Sequence, residues 1–242
     1  VTTGISNSFL GAYSGDATTD GDYNVAIGTE ALTTNTLGHR SVAVGVSALK
    51  TQNYGSGTNA YNVAVGYGAG EAITTGVRNT LTGSLSGDAI TDGTDNTAFG
   101  YEALTTNTTA GTNTAIGAYA MQDNLTGANN TSVGYLALGN NTTATGNTAT
   151  GYKALEDNTE GHSLAAFGAY ALSNNTTGDY SVAVGYDCMS GMTEGNGNTA
   201  VGYEALKTED GHSYNTAVGY RALKDLNAGA NGFNTATGYN AA

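Results

Sequence analysis

A nine-residue phrase, NTAVGYEAL at residues 198–206, returns along the whole chain in one register, and it restricts the fold more than any other feature. Near copies stand at 96–104 (NTAFGYEAL), 147–155 (NTATGYKAL) and 215–223 (NTAVGYRAL). With its glycine taken as position 0, the phrase is anchored at Gly11, Gly28, Gly45, Gly66, Gly83, Gly100, Gly117, Gly134, Gly151, Gly168, Gly185, Gly202, Gly219 and Gly238. Successive anchors are 17 residues apart, except for 21 between Gly45 and Gly66 and 19 between Gly219 and Gly238. A fixed period of this length over fourteen copies leaves no room for an independent globular domain and predicts a solenoid.

The copies alternate around the glycine. Val or Thr stands at position −3 (Val25, Val42, Val63, Thr97, Thr114, Val182, Thr199), alanine mostly at −2, and a larger apolar residue mostly at −1. The −1 column reads Ile27, Val44, Val65, Phe99, Ile116, Val133, Phe167, Val184, Val201 and Val218. This is a short β-strand with two unlike faces. The size difference predicts that the larger column points into the coil, leaving a smooth Ala/Gly stripe outside. An Ala-Leu pair follows the glycine, and its leucines (Leu32, Leu104, Leu155, Leu206) are expected to close the core from a second short strand. A helical turn competes for EALTTN and EALKTED, but such pieces are too short to hold by themselves. Loops rich in Thr, Asn, Gly and Asp complete each coil.

The expected architecture is therefore all-β: one parallel β-roll or β-solenoid over residues 1–242, with about fourteen 17-residue coils. Insertions are expected in loops 51–61 and 227–232, the first as a bulged surface loop. The copies at Gly66 and Gly83 read as the weakest, since Gly70 and Gly87 replace the leucine and Thr82 the valine. Each coil buries few large side chains, so packing of the Ala/Gly stripe against other copies is expected, in a number that the residues do not fix. The chain begins and stops inside the repeat, as a processed product or a piece of a longer fibre would.

Composition narrows function. The chain has no proline, in keeping with continuous backbone pairing. Its formal net charge is −13 with only seven Lys and Arg, which disfavours nucleic-acid binding and adsorption to anionic membranes. No apolar run is long enough to span a membrane. Cys188, the only cysteine, replaces the alanine usual at position +3 and reads as a small buried side chain. His39, His162 and His212 lie many coils apart, so no metal set is expected from them. Glu102 and Glu204 occupy equivalent places six coils apart, the wrong geometry for paired catalytic acids. No cofactor is expected; loops such as 91–95 suit at most a weak calcium ion. The Asn-x-Thr triplets at Asn107, Asn124, Asn141 and Asn175 are better explained by turns than by glycosylation.

Tyrosine follows the glycine at Tyr67, Tyr101, Tyr135, Tyr152, Tyr186, Tyr203, Tyr220 and Tyr239, and stands one residue later at Tyr13, Tyr119 and Tyr170. These are expected to stack as a ladder or, as exposed rings, to bind sugars or another surface.

At NTAVGYEAL and at SVAVG (41–45 and 181–185), the chain resembles the YadA-like head repeats of trimeric autotransporter adhesins. It is closer still to the NTAxGYxAL repeats of phage tail-fibre and related surface-fibre proteins. The resemblance covers essentially the whole chain and implies a trimer of rolls, exposed on a virion fibre or cell surface, attaching to a host glycan or protein. The expected function is thus a non-enzymatic structural and adhesive fibre segment. Two alternatives stand beside it: a self-assembling filament whose ends stack head to tail, and an ice-binding solenoid. The last requires the Thr/Val columns to face outward over a core of Ala, Gly and Leu.

Overall fold

In the computed structural model, described for residues 2–208, 210–226 and 232–242, the chain forms two compact units, 1–119 and 120–242. Both are built from the same coil. The first carries seven parallel strands, Ser8–Leu10, Val25–Ile27, Val42–Val44, Val63–Val65, Thr80–Thr82, Thr97–Phe99 and Thr114–Ile116, each pairing with the next in sequence. The second carries seven more in the same manner, Thr131–Val133, Thr148–Thr150, Ala165–Phe167, Val182–Val184, Thr199–Val201, Thr216–Val218 and Thr235–Thr237. Like sits beside like: Thr199, Ala200 and Val201 face Thr216, Ala217 and Val218. The parallel β-solenoid with its 17-residue coil is therefore the fold, and the described residues contain no helix.

The core is turned over relative to the expectation. The −2 alanines (Ala26, Ala43, Ala64, Ala98, Ala115, Ala149, Ala200) are buried, whereas Ile27, Val65, Phe99, Ile116, Phe167, Val184, Val201 and Val218 are exposed. Val44 and Val133 are half-buried. The reason is space. A coil this short encloses room for one layer of side chains, and that layer is filled from the other wall by Leu32, Leu104, Leu155 and Leu206, all fully buried as expected. A valine pointing in from the strand would overpack it.

The apparently weak copies prove the rule. Where leucine is replaced by Gly70 and Gly87, Leu81 takes the −2 place and is fully buried. A Cβ on Gly70 or Gly87 would lie 2.8 or 2.9 Å from the methyls of Leu81. Ile73 and Ile90 fill the rest of those layers. Phe9 does the same opposite Gly15, whose Cβ would meet the ring at 2.5 Å. Volume is conserved layer by layer, so these coils are repacked rather than empty.

The Ala-Leu pair forms a turn, not a strand. Positions +2 and +4 both have positive φ, as in Glu204 (51°) and Leu206 (52°). Neighbouring coils still bond through this turn, with Glu204 N donating to Tyr186 O at 3.0 Å and Leu206 N to Ala222 O at 3.0 Å. Donation thus alternates toward the preceding and following coil, and each turn is held on both sides.

Beside the apolar layer lies a buried amide layer. The position −4 asparagines form one column: Asn147 Nδ2 donates to Gly161 O (2.8 Å), and its Oδ1 accepts from Leu164 N (2.9 Å). At +7, Asn107 in the first unit and a second column of Asn124, Asn141, Asn158 and Asn175 in the second unit are all fully buried. Asn158 Nδ2 reaches the same Gly161 carbonyl at 3.0 Å, so one backbone oxygen is held from two sides. Asn175 Oδ1 is left without a donor where Met192 ends this column. The triplet asparagines thus serve backbone turns inside the fold, as expected.

The first insertion is only partly a surface bulge. Gln52, Tyr54 and Ala60 are buried. Tyr54 Oη donates to Gly76 O at 2.8 Å and accepts from Asn62 Nδ2 at 3.2 Å. Burial pushes its phenol up. Exposed Gly55, Ser56 and Gly57 form the tip, and Thr58–Asn59 pairs in parallel with Gly38–His39. The second insertion lies largely outside the described residues.

Candidate functional site

Two repeating surfaces and two local clusters carry the chemistry of the exposed chain. The first surface is the outer face of the strands. Positions −3 and −1 project from it in register, giving rows of Thr and Val beside rows of Ile, Val and Phe. Leu10 and Phe99 are the most open apolar residues of the −1 column at 70% and 58% exposure, and stand well above Val201 at 38%. Apolar rows repeated at strand spacing form a continuous stripe rather than scattered single contacts.

The second surface is the tyrosine column. In the second unit it runs without a gap through Tyr135, Tyr152, Tyr170, Tyr186, Tyr203, Tyr220 and Tyr239. Tyr203 and Tyr220 lie 5.1 Å apart with planes 9° from parallel. Tyr170, one residue late, meets both neighbours edge-on. In the first unit Tyr101 packs edge-to-face on Tyr119, whereas Tyr67 stands between Val46 and Ser84 with no ring neighbour. Stacking occupies the ring faces, so the column offers phenol rims and hydroxyls outward.

A charged cluster centres on Glu204, which Lys207 (3.2 Å), Arg221 (2.7 Å) and Lys224 (3.0 Å) all reach. Lys207 also pairs with Asp187. The hydrogen bond from Lys224, followed by those from Lys207 and Arg221, lowers the Glu204 carboxyl to about 2. A group held this firmly ionised is unsuited to donating a proton near neutrality. The opposite case is Asp88. Burial first, then the charges of Glu102 and Glu71, push its carboxyl up, and one of its oxygens lacks a hydrogen-bond partner.

In loop 91–95, Asp92 Oδ1 accepts from the Thr74 hydroxyl at 2.9 Å, and the two Asp95 oxygens accept from Nε and Nη2 of Arg78 at 2.6 and 2.7 Å. Among the described residues no three His, Cys, Asp or Glu side chains gather as a metal set. Cys188 is fully buried and its thiol is pushed up to about 12 by that burial, consistent with a small core side chain.

His39 and His162 belong to a ladder that sequence reading missed, whereas His212 stands one residue earlier, at −7. At position −6, a side chain accepts the amide proton of the preceding coil. Thr145 N donates to His162 Nδ1 (2.9 Å), His162 N to Asp179 Oδ1 (2.6 Å), Asp179 N to Asn196 Oδ1 (2.7 Å) and Asn196 N to Ser213 Oγ (2.9 Å). Asp22 N donates likewise to His39 Nδ1 at 2.9 Å. The shared property is an acceptor two bonds or so beyond Cβ, which is why residue identity varies so freely there.

No family model, curated protein or solved structure matches this chain. The functional reading therefore stands on geometry and on the repeat itself.

Proposed function

We propose that the chain is a non-enzymatic structural and adhesive fibre segment, of the phage tail-fibre or trimeric-adhesin type, working on a virion fibre or cell surface. The observation that carries this reading is the outward apolar stripe at positions −1 and −3, present on both units. Such a stripe is stable in water only if something covers it, and in-register rows offer a matching copy a self-complementary surface. The interface is then the Val/Ile/Phe face, not the Ala/Gly stripe of the sequence reading, whose alanines are already used inside. Three copies closing around that face accord with the trimer implied by the resemblance. The tyrosine rims and the insertion loop remain for recognition.

Sedimentation equilibrium of the purified chain tests this. A trimer mass is expected, falling to the monomer mass when Val184, Val201 and Val218 are all changed to Lys. A wild-type monomer at tens of micromolar would contradict it. Head-to-tail stacking would instead show as filaments by electron microscopy.

The ice-binding reading also gains support from one observation, because the Thr/Val columns do face outward over a core of Ala, Leu and Asn. The protruding Phe99 and Phe167 make the face uneven, which favours association over ice. Thermal hysteresis at millimolar protein would reverse that preference.

A further inference from the structure

In so repetitive a chain the departures from the repeat are informative, and they concentrate around Arg40. Six of the seven basic side chains are in ion pairs: Lys50 with Glu30, Arg78 with Asp95, Lys153 with Glu156, and Lys207, Arg221 and Lys224 with Glu204. Among the described residues Arg40 alone has no carboxylate partner, although the chain carries twenty Asp and Glu. Its guanidinium lies between two rings from the coils on either side, with Cζ 5.4 Å from the Tyr23 centroid and 5.8 Å from that of Tyr61. All three residues occupy position −5 with positive φ, of 58°, 61° and 51°, and all three are exposed.

The insertion completes the arrangement. Arg40 Nη1 donates to Asn59 Oδ1, and Asn59 is placed by the Thr58–Asn59 and Gly38–His39 pairing, the one strand pair outside the main repeat among the described residues. Gly57 allows that close approach, since a Cβ there would lie 2.9 Å from His39 Nε2. Asn53 and Ser56 add exposed polar groups to the same loop.

With a ring from the coil on either side, the guanidinium is flanked along the stack and open outward. Only one donor has a protein acceptor, so the remaining N–H groups form a fork suited to one carboxylate. The flanking rings and loop amides suit an apolar, hydroxylated body attached to that carboxylate. A net charge of −13 repels polyanions and acidic peptides, while a single negative charge at a local cation is tolerated.

The geometry points to a binding site for a carboxylate-bearing sugar, a uronic acid or similar acidic residue of a glycan. Arg40 holds the carboxylate, and Tyr23, Tyr61 and Asn59 flank the ring. This rests on the adhesive part of the proposed function and names its ligand class.

Saturation-transfer NMR titration of the full chain with methyl glucuronide, methyl glucoside, acetate and N-acetyl-aspartate amide tests it. Methyl glucuronide is expected to bind ~10-fold or more tightly than each of the other three. Arg40→Gln should abolish that difference without moving the circular dichroism spectrum or melting temperature. Tyr61→Leu should weaken methyl glucuronide and leave acetate unchanged. Absence of methyl glucuronide binding, equal binding of acetate or the aspartate probe, or methyl glucuronide binding that survives Arg40→Gln would each overturn the assignment. Sedimentation of Arg40→Gln should still match wild type, so failure of the sugar site and failure of the fibre reading are separate results.

Discussion

The smallest unit that decides this fold is the position 0 glycine. Its φ lies near +140°, where side-chain residues are strained, and a Cβ would also strike the next coil. At Gly151 φ is +139° and the added Cβ would lie 2.4 Å from Gly168 O. Gly151→Ala is therefore expected to cost about 3 kcal/mol or more, read as a fall in the urea midpoint. Leucine at +4 shows a milder form of the same strain. Its φ near +50° costs about 1–2 kcal/mol in a side-chain residue, offset by complete burial of an isobutyl group worth a similar or larger amount. Charge at this scale is local. Glu204 is depressed to about 2, so whatever stability its cations lend is present above its ordinary value of 4.5 and is lost as pH falls toward 2. Thermal melts of wild type and Glu204→Gln should thus differ at pH 6 and converge near pH 2; a pH-independent gap would contradict this.

At the scale of the coil, backbone pairing alone does not hold the layers. The two asparagine columns and the acceptor ladder at −6 satisfy amides and carbonyls that the three-residue strands cannot reach. Asn147→Ala removes one of the two donors to Gly161 O, which Asn158 still holds, and removes the acceptor of Leu164 N, which stays buried. A loss of about 2–4 kcal/mol is expected, with faster amide hydrogen exchange at Leu164. The period, the strand triplets and the leucine layer were legible in the sequence because each repeats a residue type at one spacing. The facing of the strand was not. Val-Ala-Val reads as large-in, small-out when hydrophobicity alone is weighed, and three residues are too few to show a polar face. The deciding signal lay in the exceptions, where Phe9 and Leu81 at −2 accompany Gly15, Gly70 and Gly87 at +4. The turn at the Ala-Leu pair was hidden because leucine seldom takes positive φ. The turn role of the triplet asparagines was legible, but the burial of both asparagine columns was hidden, because a buried amide and a loop amide share one letter.

Across the whole molecule one rule recurs in both units: each layer holds a fixed interior volume, and surplus apolar bulk goes outside. That rule gives the chain its outward apolar stripe, the surface proposed for association, while the insertion after Gly45 supplies the one described cluster that departs from symmetry. The rule is tested most directly by a double-mutant cycle on urea stability at positions 81 and 87. Leu81→Ala alone should leave a cavity and cost about 2–5 kcal/mol, and Gly87→Leu alone should overpack the same layer and cost about 1–3 kcal/mol. Together they recreate the common Ala-in, Leu-in coil, so the double variant is expected to regain most of that loss, a coupling of about 2 kcal/mol or more. Strictly additive losses would contradict the account, because they would mean that the two side chains do not share one enclosed layer.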